Sequence, residues 1–150
     1  MRTEVLNKKV FRLVSRGEHN FTLDKSKVYT IVKVKDFEES KDFCQHYILQ
    51  ANNETIEIRE YECVFIPDET LPEIDMVNKF LADNLCYPDE VYHCDEKVCV
   101  QLDWSDWKHG HIWCETLMKY LGYEQFGEIV TEENGSDCYS ATHYFYKISA

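Results

Sequence analysis

The sequence has no apolar run of the ~18 to 20 residues that a membrane-spanning helix requires, and its first residues lack the apolar core of a signal peptide. We therefore predict a cytoplasmic protein with no membrane association. Without an export signal, the seven cysteines are not expected to form a disulfide framework, and their number is odd. We expect reduced, mostly buried thiols.

The commonest enzyme signatures are also missing. The sequence contains no Gly-rich phosphate loop, no Gly-x-Ser-x-Gly motif, and neither Cys-x-x-Cys nor His-Glu-x-x-His. These absences remove the usual nucleotide-binding, acyl-transfer and zinc-binding patterns. We predict that the protein binds no cofactor, and these absences favour a non-enzymatic function over an enzyme.

Positive charge is scarce in the second half of the chain. Residues 1–70 hold 11 Lys and Arg against 13 Asp and Glu, whereas residues 71–150 hold 5 against 15. An acidic surface repels the phosphates of DNA and RNA, so direct nucleic-acid binding by residues 71–150 is disfavoured. This charge favours the basic surface of another protein as the partner.

Residues 1–67 predict a small all-β domain. Short stretches rich in β-branched residues alternate with turn residues, and they cover residues 10–14, 27–35, 44–50, 55–59 and 61–66. Asn52 and Asn53 tolerate positive φ and suit a hairpin turn between two of these strands. In strand number and spacing, this half resembles an SH3-like small barrel.

Residues 71–150 predict a second, acidic domain of the α+β class. Apolar residues recur at helical spacing from Ile74 to Leu85, and Thr70 with Glu73 forms a capping box before them. Strands are predicted at residues 90–94 and 97–103. A second amphipathic helix has an apolar stripe of Cys114, Leu117, Met118 and Leu121 and ends at Gly122, the position of a left-handed cap.

Two further strands, at residues 124–131 and 138–148, complete the order αββαββ. Three apolar residues around the end of each helix align at a constant offset of 36, namely Leu81, Leu85 and Tyr87 with Leu117, Leu121 and Tyr123. A duplicated αββ unit explains this alignment, and so does the general resemblance of amphipathic helices followed by aromatic strands. The order predicts a four-stranded antiparallel sheet with both helices on one face.

The candidate binding residues cluster where the strand at 97–103 gives way to the second helix. They are Asp103, Asp106, Trp107, His109, His111 and Trp113. A tryptophan flanked by charged residues is a frequent anchor of protein interfaces, although such rings also cover cores. Ser105 or Asp106 also suits the N-cap of the helix, which satisfies the first amides of the helix without a ligand.

His109, His111 and Asp106 are also the candidate metal ligands, because imidazole and carboxylate suit transition ions. Residues two apart on a helix point about 200° away from each other, so His109 and His111 share an ion only if the first helical turn is irregular. This geometry weakens the prediction of a metal site.

The leading hypothesis is a non-enzymatic, acidic protein-binding module. Such a module acts as a regulator or inhibitor by engaging a basic, nucleic-acid-binding surface of its partner. One alternative is a metal-dependent enzyme centred on Asp103, Asp106, His109 and His111. Another is nucleic-acid binding by the N-terminal barrel, through interleaved basic and aromatic residues, namely Lys25, Lys27, Tyr29, Lys33, Lys35, Phe37 and Lys41.

Overall fold

The computed structural model describes residues 3–15, 21–36, 38–39, 41–103, 107–133 and 139–148. The chain divides into two compact units, Met1–Ile66 and Pro67–Ala150. Unit 1 contains 11 basic and 11 acidic residues, whereas unit 2 contains 5 and 17. Unit 2 therefore carries the whole net charge of -12.

Unit 1 is a five-stranded antiparallel sheet with two short 3-10 helices, Thr3–Val5 and Glu60–Glu62. Its strands are β1 (Lys9–Ser15), β2 (Phe21–Lys35), β3 (His46–Ala51), β4 (Glu54–Arg59) and β5 (Cys63–Phe65). Their order in the sheet is β4-β3-β2-β1-β5. Asn52 adopts φ 54° in the turn between β3 and β4, which confirms the predicted hairpin.

The predicted SH3-like barrel is not confirmed. Within the described ranges, β4 and β5 lie at opposite edges of the sheet and do not pair, so no closed barrel forms. The strand β2 is longer than predicted, and its pairing shifts register against both β1 and β3. Such irregularities bend a strand while keeping its apolar side chains on the core, where Val10, Ile31 and Leu49 are fully buried.

Unit 2 combines two helices with a second antiparallel sheet, so the α+β class is confirmed. The elements are α1 (Glu73–Asp83), β6 (Glu90–Cys94), β7 (Lys97–Asp103), α2 (Trp107–Tyr120), β8 (Tyr123–Gln125), β9 (Val130–Glu133) and β10 (Tyr139–Lys147). The sheet order is β6-β7-β10-β8, and β9 also pairs with β10. Among the described residues, the helices lack the combination of length and hydrophobicity that a membrane-spanning helix requires.

The sheet of unit 2 has five strands instead of the predicted four. One strand was expected over residues 124–131, but two short strands, β8 and β9, pair with different parts of β10. Between them, Gly127 adopts φ 69°, a left-handed conformation that interrupts an extended strand. The predicted Asn134-Gly135 turn lies outside the described residues.

The N-cap position of the first helix is Pro72, two residues after the predicted N-cap Thr70. Thr70 donates from its amide and its hydroxyl to the Asp68 carboxylate in the preceding turn. The helix begins at Glu73, directly after Pro72, because a residue before proline avoids the helical conformation. The predicted capping box is therefore wrong, and the Glu73 carboxylate accepts a hydrogen bond from the Tyr123 hydroxyl instead.

The two faces of this sheet have different surroundings. The helix face carries a buried set of side chains from β7 and β10, namely Val98, Val100, Leu102, Ala141, His143 and Phe145. Helix α2 contacts it through His111, and α1 reaches the same face through Glu73, which approaches His93 and Tyr123. The opposite, outer face carries the alternate residues, namely Glu90, Tyr92, Cys94, Lys97, Cys99, Gln101, Asp103, Glu124, Thr142, Tyr144 and Tyr146.

Residues aligned in the αββ repeat differ in burial. Leu81 and Leu117 are both fully buried, as equivalent helix positions should be. Tyr87, however, is 63% exposed whereas Tyr123 is 2% exposed. The duplication stays a prediction.

Candidate protein-binding face

The outer face places tyrosines next to each other on neighbouring strands. Tyr144 on β10 lies opposite Cys99 on β7, and Cys99 lies opposite Tyr92 on β6. Directly opposite residues of antiparallel strands point to the same side of a sheet. The register therefore produces a row in which a buried cysteine lies between two partly buried tyrosines, one on each side.

Two exposed aromatic rings extend this row. Phe126 is 52% exposed and Tyr146 is 39% exposed, and their ring centroids lie 6.3 Å apart at an interplanar angle of 85°. The Phe126 amide donates to the Tyr144 carbonyl over 2.6 Å, which holds Phe126 beside β10. The Tyr146 hydroxyl donates to Glu124 Oε2 over 2.6 Å, and this bond raises the pKa of Tyr146. Both rings are thus held in place while remaining accessible.

An ammonium group lies over one of these rings. Lys97 Nζ is 4.3 Å from the Phe126 ring centroid, well within the ~6 Å at which a cation is attracted to an aromatic face. Val98, the residue after Lys97, pairs with Phe145, the residue before Tyr146, so Lys97 and Tyr146 are the next positions of the same register. We call Lys97, Glu124, Phe126 and Tyr146 the aromatic cluster.

The outer face also holds exposed carboxylates. Glu90, Asp103 and Glu124 are all exposed, and Lys97 is the one basic residue in the set that defines this face. They belong to a unit with 17 acidic and 5 basic residues. The face therefore combines negative charge with aromatic surface, which suits a basic partner.

Two buried thiols of unit 2, Cys99 and Cys114, are poorly suited to nucleophilic catalysis. Burial, together with the neighbouring Cys94 thiol, raises the pKa of Cys99 to about 11. A hydrogen bond with Cys86, and secondly burial, also raise the pKa of Cys114, a buried cysteine of α2. Because the thiolate is the reactive form, thiols that remain protonated near neutral pH are poor nucleophiles.

The predicted corner between β7 and α2 is described only in part. Asp103 is exposed at the end of β7 and belongs to the outer face. Asp106 lies outside the described residues, and so do the side chains of Trp107 and His109. Their predicted binding roles stay predictions.

His111 lies in the core of unit 2. It is 7% exposed, and its Nδ1 is 2.7 Å from Nε2 of His143, which is fully buried. The two rings stack with centroids 5.0 Å apart, and His143 Nδ1 lies 3.3 Å from Gln125 Oε1. Burial, and secondly the neighbouring His111, lower the pKa of His143 to about 4. At neutral pH, His143 is therefore uncharged and forms part of a hydrogen-bonded core pair.

Trp113 joins the two helices of unit 2. Its indole Nε1 donates to the carbonyl of Asn84 over 2.7 Å, and Asn84 lies directly after the end of α1. The Asn84 side chain in turn donates to the Phe80 carbonyl over 2.8 Å. The indole N–H of Trp113 thus makes its hydrogen bond inside unit 2.

The structure describes only part of the predicted metal site. The residues that the structure describes contain no group of three or more His, Cys, Asp or Glu able to hold a metal ion. Of the three candidate ligands, only the His111 side chain is described, and it faces His143.

Basic side chains of unit 1 are partly neutralised by acidic neighbours. Lys27 pairs with Glu54, and Lys35 Nζ lies 2.6 Å from Glu57 Oε1. Tyr29, an aromatic residue of the predicted nucleic-acid face, is only 3% exposed. These contacts reduce the cationic and stacking surface available to a nucleic acid.

Sequence reasoning missed Phe126 and Tyr146. Within β10, Tyr144 and Tyr146 alternate with His143 and Phe145, so the sequence shows two apolar sets on opposite sides of one strand. Alternation alone does not reveal which set meets the helices. Phe126 carries even less signal, because it follows the three-residue strand β8.

The chain matches no family model, no curated protein and no solved structure.

Proposed function

We propose that this protein is a non-enzymatic binding module, and that unit 2 engages a basic surface of a partner protein through its outer face. The observation that carries the proposal is the presence of exposed rings and exposed carboxylates on one face of a sheet. Protein interfaces favour aromatic residues at the centre and polar residues at the rim. Phe126 and Tyr146 suit the first role, and Glu90 and Asp103 suit the second.

Charge and aromatic surface make different contributions to such binding. The net charge of unit 2 attracts a basic partner over the ~10 Å Debye length at 0.1 M salt, so it accelerates association. The rings contribute short-range affinity when they are buried against the partner. We therefore expect association to weaken as salt rises, with a residual contribution that salt does not remove.

A nucleic-acid-binding groove is one basic surface that fits this proposal. Such a groove is built to receive a row of phosphates, and exposed carboxylates can occupy the positions of that negative charge. The protein would then act as a regulator or inhibitor that competes with DNA or RNA for its partner. This role predicts that nucleic acid and unit 2 exclude one another from the partner.

The two alternative functions have less support. A metal-dependent enzyme at Asp103, Asp106, His109 and His111 requires an accessible His111, yet this ring is buried against His143. Nucleic-acid binding by unit 1 requires free cationic side chains, yet Lys27 and Lys35 have acidic partners. Neither alternative gains a specific observation from the structure.

The proposal is tested by comparing two variants with equal changes in net charge. The face variant combines Glu90→Gln with Asp103→Asn, and the control combines Glu69→Gln with Glu115→Gln, all at exposed positions. Glu115 lies on α2, which covers the opposite face of the sheet. The probe is fluorescein-labelled octalysine, and fluorescence anisotropy gives its Kd at about 50 mM and about 200 mM salt.

We expect wild-type affinity to fall with salt, and the face variant to bind about two- to thirtyfold more weakly than the control. This range follows from roughly 0.2 to 1 kcal/mol for each exposed charge pair. Equal affinities of the two variants would show that net charge acts without any role for the outer face. Affinity that does not depend on salt would overturn the proposal itself.

Two further measurements address the partner and the metal alternative. The same three proteins serve as baits for capture from host cells, and the expected partner is retained by wild type and control but lost from the face variant. Metal analysis of protein purified without chelators tests the enzyme alternative. A stoichiometric transition ion that disappears in His109→Ala/His111→Ala would favour that alternative.

A further inference from the structure

We infer that the aromatic cluster is a subsite for one lysine side chain of the basic partner, and that Lys97 occupies this subsite in the unbound protein. The inference rests on the proposed function, since it assigns one position on the outer face to one chemical group. Lys97 Nζ lies 4.3 Å from the Phe126 ring centroid. The chain thereby shows which group this ring accepts, namely a primary ammonium.

The geometry of the rings suits a cation arriving from solvent. Phe126 is 52% exposed, and the nearly perpendicular ring of Tyr146 forms a corner with it. The Glu124 carboxylate accepts a hydrogen bond from the Tyr146 hydroxyl over 2.6 Å, so the negative charge of Glu124 lies beside the two rings. A ring face and a nearby carboxylate both favour an ammonium over a neutral group.

Lys97 can leave this position without a change in the backbone. It is the first residue of β7, next to the tight turn in which Asp95 has φ 55°. Its charge is at the end of a flexible four-carbon side chain, which can turn toward water. A cation on an exposed ring is held by only ~0.5 to 1 kcal/mol, so a lysine of a partner held by the surrounding carboxylates can replace it.

Removing the resident ammonium should therefore strengthen binding. We compare Lys97→Gln with Lys119→Gln, which removes the same charge from an exposed position on α2. Labelled octalysine is again the probe, at about 50 mM salt. We expect Lys97→Gln to bind about two- to fivefold more tightly than Lys119→Gln, the range of one exposed cation and ring contact.

A third variant assigns the gain to the ring. Phe126→Leu keeps apolar volume but removes the aromatic face, so adding it to Lys97→Gln should abolish the gain. NMR of the wild-type protein gives an independent reading. The Lys97 side-chain methylene protons next to Nζ should show a ring-current shift that disappears as octalysine is added.

The outcomes separate this inference from the proposed function. If octalysine binds with the expected salt dependence but Lys97→Gln equals Lys119→Gln, the subsite is overturned and the binding face stands. A gain that survives Phe126→Leu, or Lys97 resonances that octalysine does not move, also overturns the subsite. If octalysine does not bind wild type, both proposals fail.

Discussion

Replacement of His143 by glutamine should remove a large part of the acid sensitivity of unit 2. His143 is fully buried, and its Nε2 faces the ionisable His111 side chain while its Nδ1 faces the neutral Gln125 side chain. Its pKa is lowered from the ordinary 6.5 to about 4. A difference of about 2.5 pKa units corresponds to about 3 kcal/mol of folding free energy, at ~1.4 kcal/mol for each unit.

The direction in which stability changes with pH follows from the protons bound by the folded and unfolded states. Below pH 6.5, His143 takes up a proton in the unfolded chain, whereas in the folded chain it stays neutral until about pH 4. The unfolded state therefore binds more protons in this window, and the contribution of His143 to stability falls as pH decreases from 6.5 to about 4. Above pH 6.5, this contribution is constant.

Urea unfolding followed by tryptophan fluorescence measures the effect on unit 2, because Trp104, Trp107 and Trp113 all lie within it. The glutamine variant has its own stability change, so the quantity of interest is the pH dependence of the difference between wild type and His143→Gln. We expect this difference to shrink by about 3 kcal/mol between about pH 7 and pH 4. A difference that stays constant with pH would refute a buried, neutral His143.

Two other predictions concern a helix and a charge network. Leu117→Ala should destabilise unit 2 by about 2 to 5 kcal/mol, because Leu117 is fully buried. Ile112→Ala, on the exposed side of the same helix, should destabilise it by less than about 0.5 kcal/mol. Equal losses of stability in urea unfolding would contradict the packing of α2. In unit 1, burial lowers the pKa of His46, but its hydrogen bonds to Glu57 and Asp42 outweigh this effect and raise it. Asp42→Asn should therefore lower the pKa of His46, which an NMR titration measures. The substitution should destabilise unit 1 more at pH values below the pKa of His46, where the imidazole is charged, than above it. An unchanged pKa of His46 would argue against its contact with Asp42.

The class of the fold was predictable because its signals are local. Strand and helix periodicities depend on neighbours a few residues apart, and they identified β3, β4, β6, β7 and both helices. Gly122 adopts φ 93° after α2, as expected for a residue that ends a helix in a left-handed conformation. The capping box was predicted wrongly because two local signals compete in this stretch. Thr70 and Glu73 have the spacing of a capping box, but Pro72 follows Leu71, and the helix begins only at Glu73.

The candidate site was harder to predict, because its residues are distant in sequence. Lys97 and Phe126 meet only after β7, β8 and β10 have paired. The same pairing places His143 on the helix face, where it meets His111. A histidine that sequence reasoning assigned to binding thus became part of the core.

The amino-acid sequence by itself determined the charge of each unit, the types of most helices and strands, and the positions of several turns. These properties depend on composition and on contacts between near neighbours in the chain. Only the tertiary structure decided which side of each strand is covered. Burial of a face depends on where the helices pack, and that choice left Phe126 and Tyr146 exposed beside the carboxylates of the outer face.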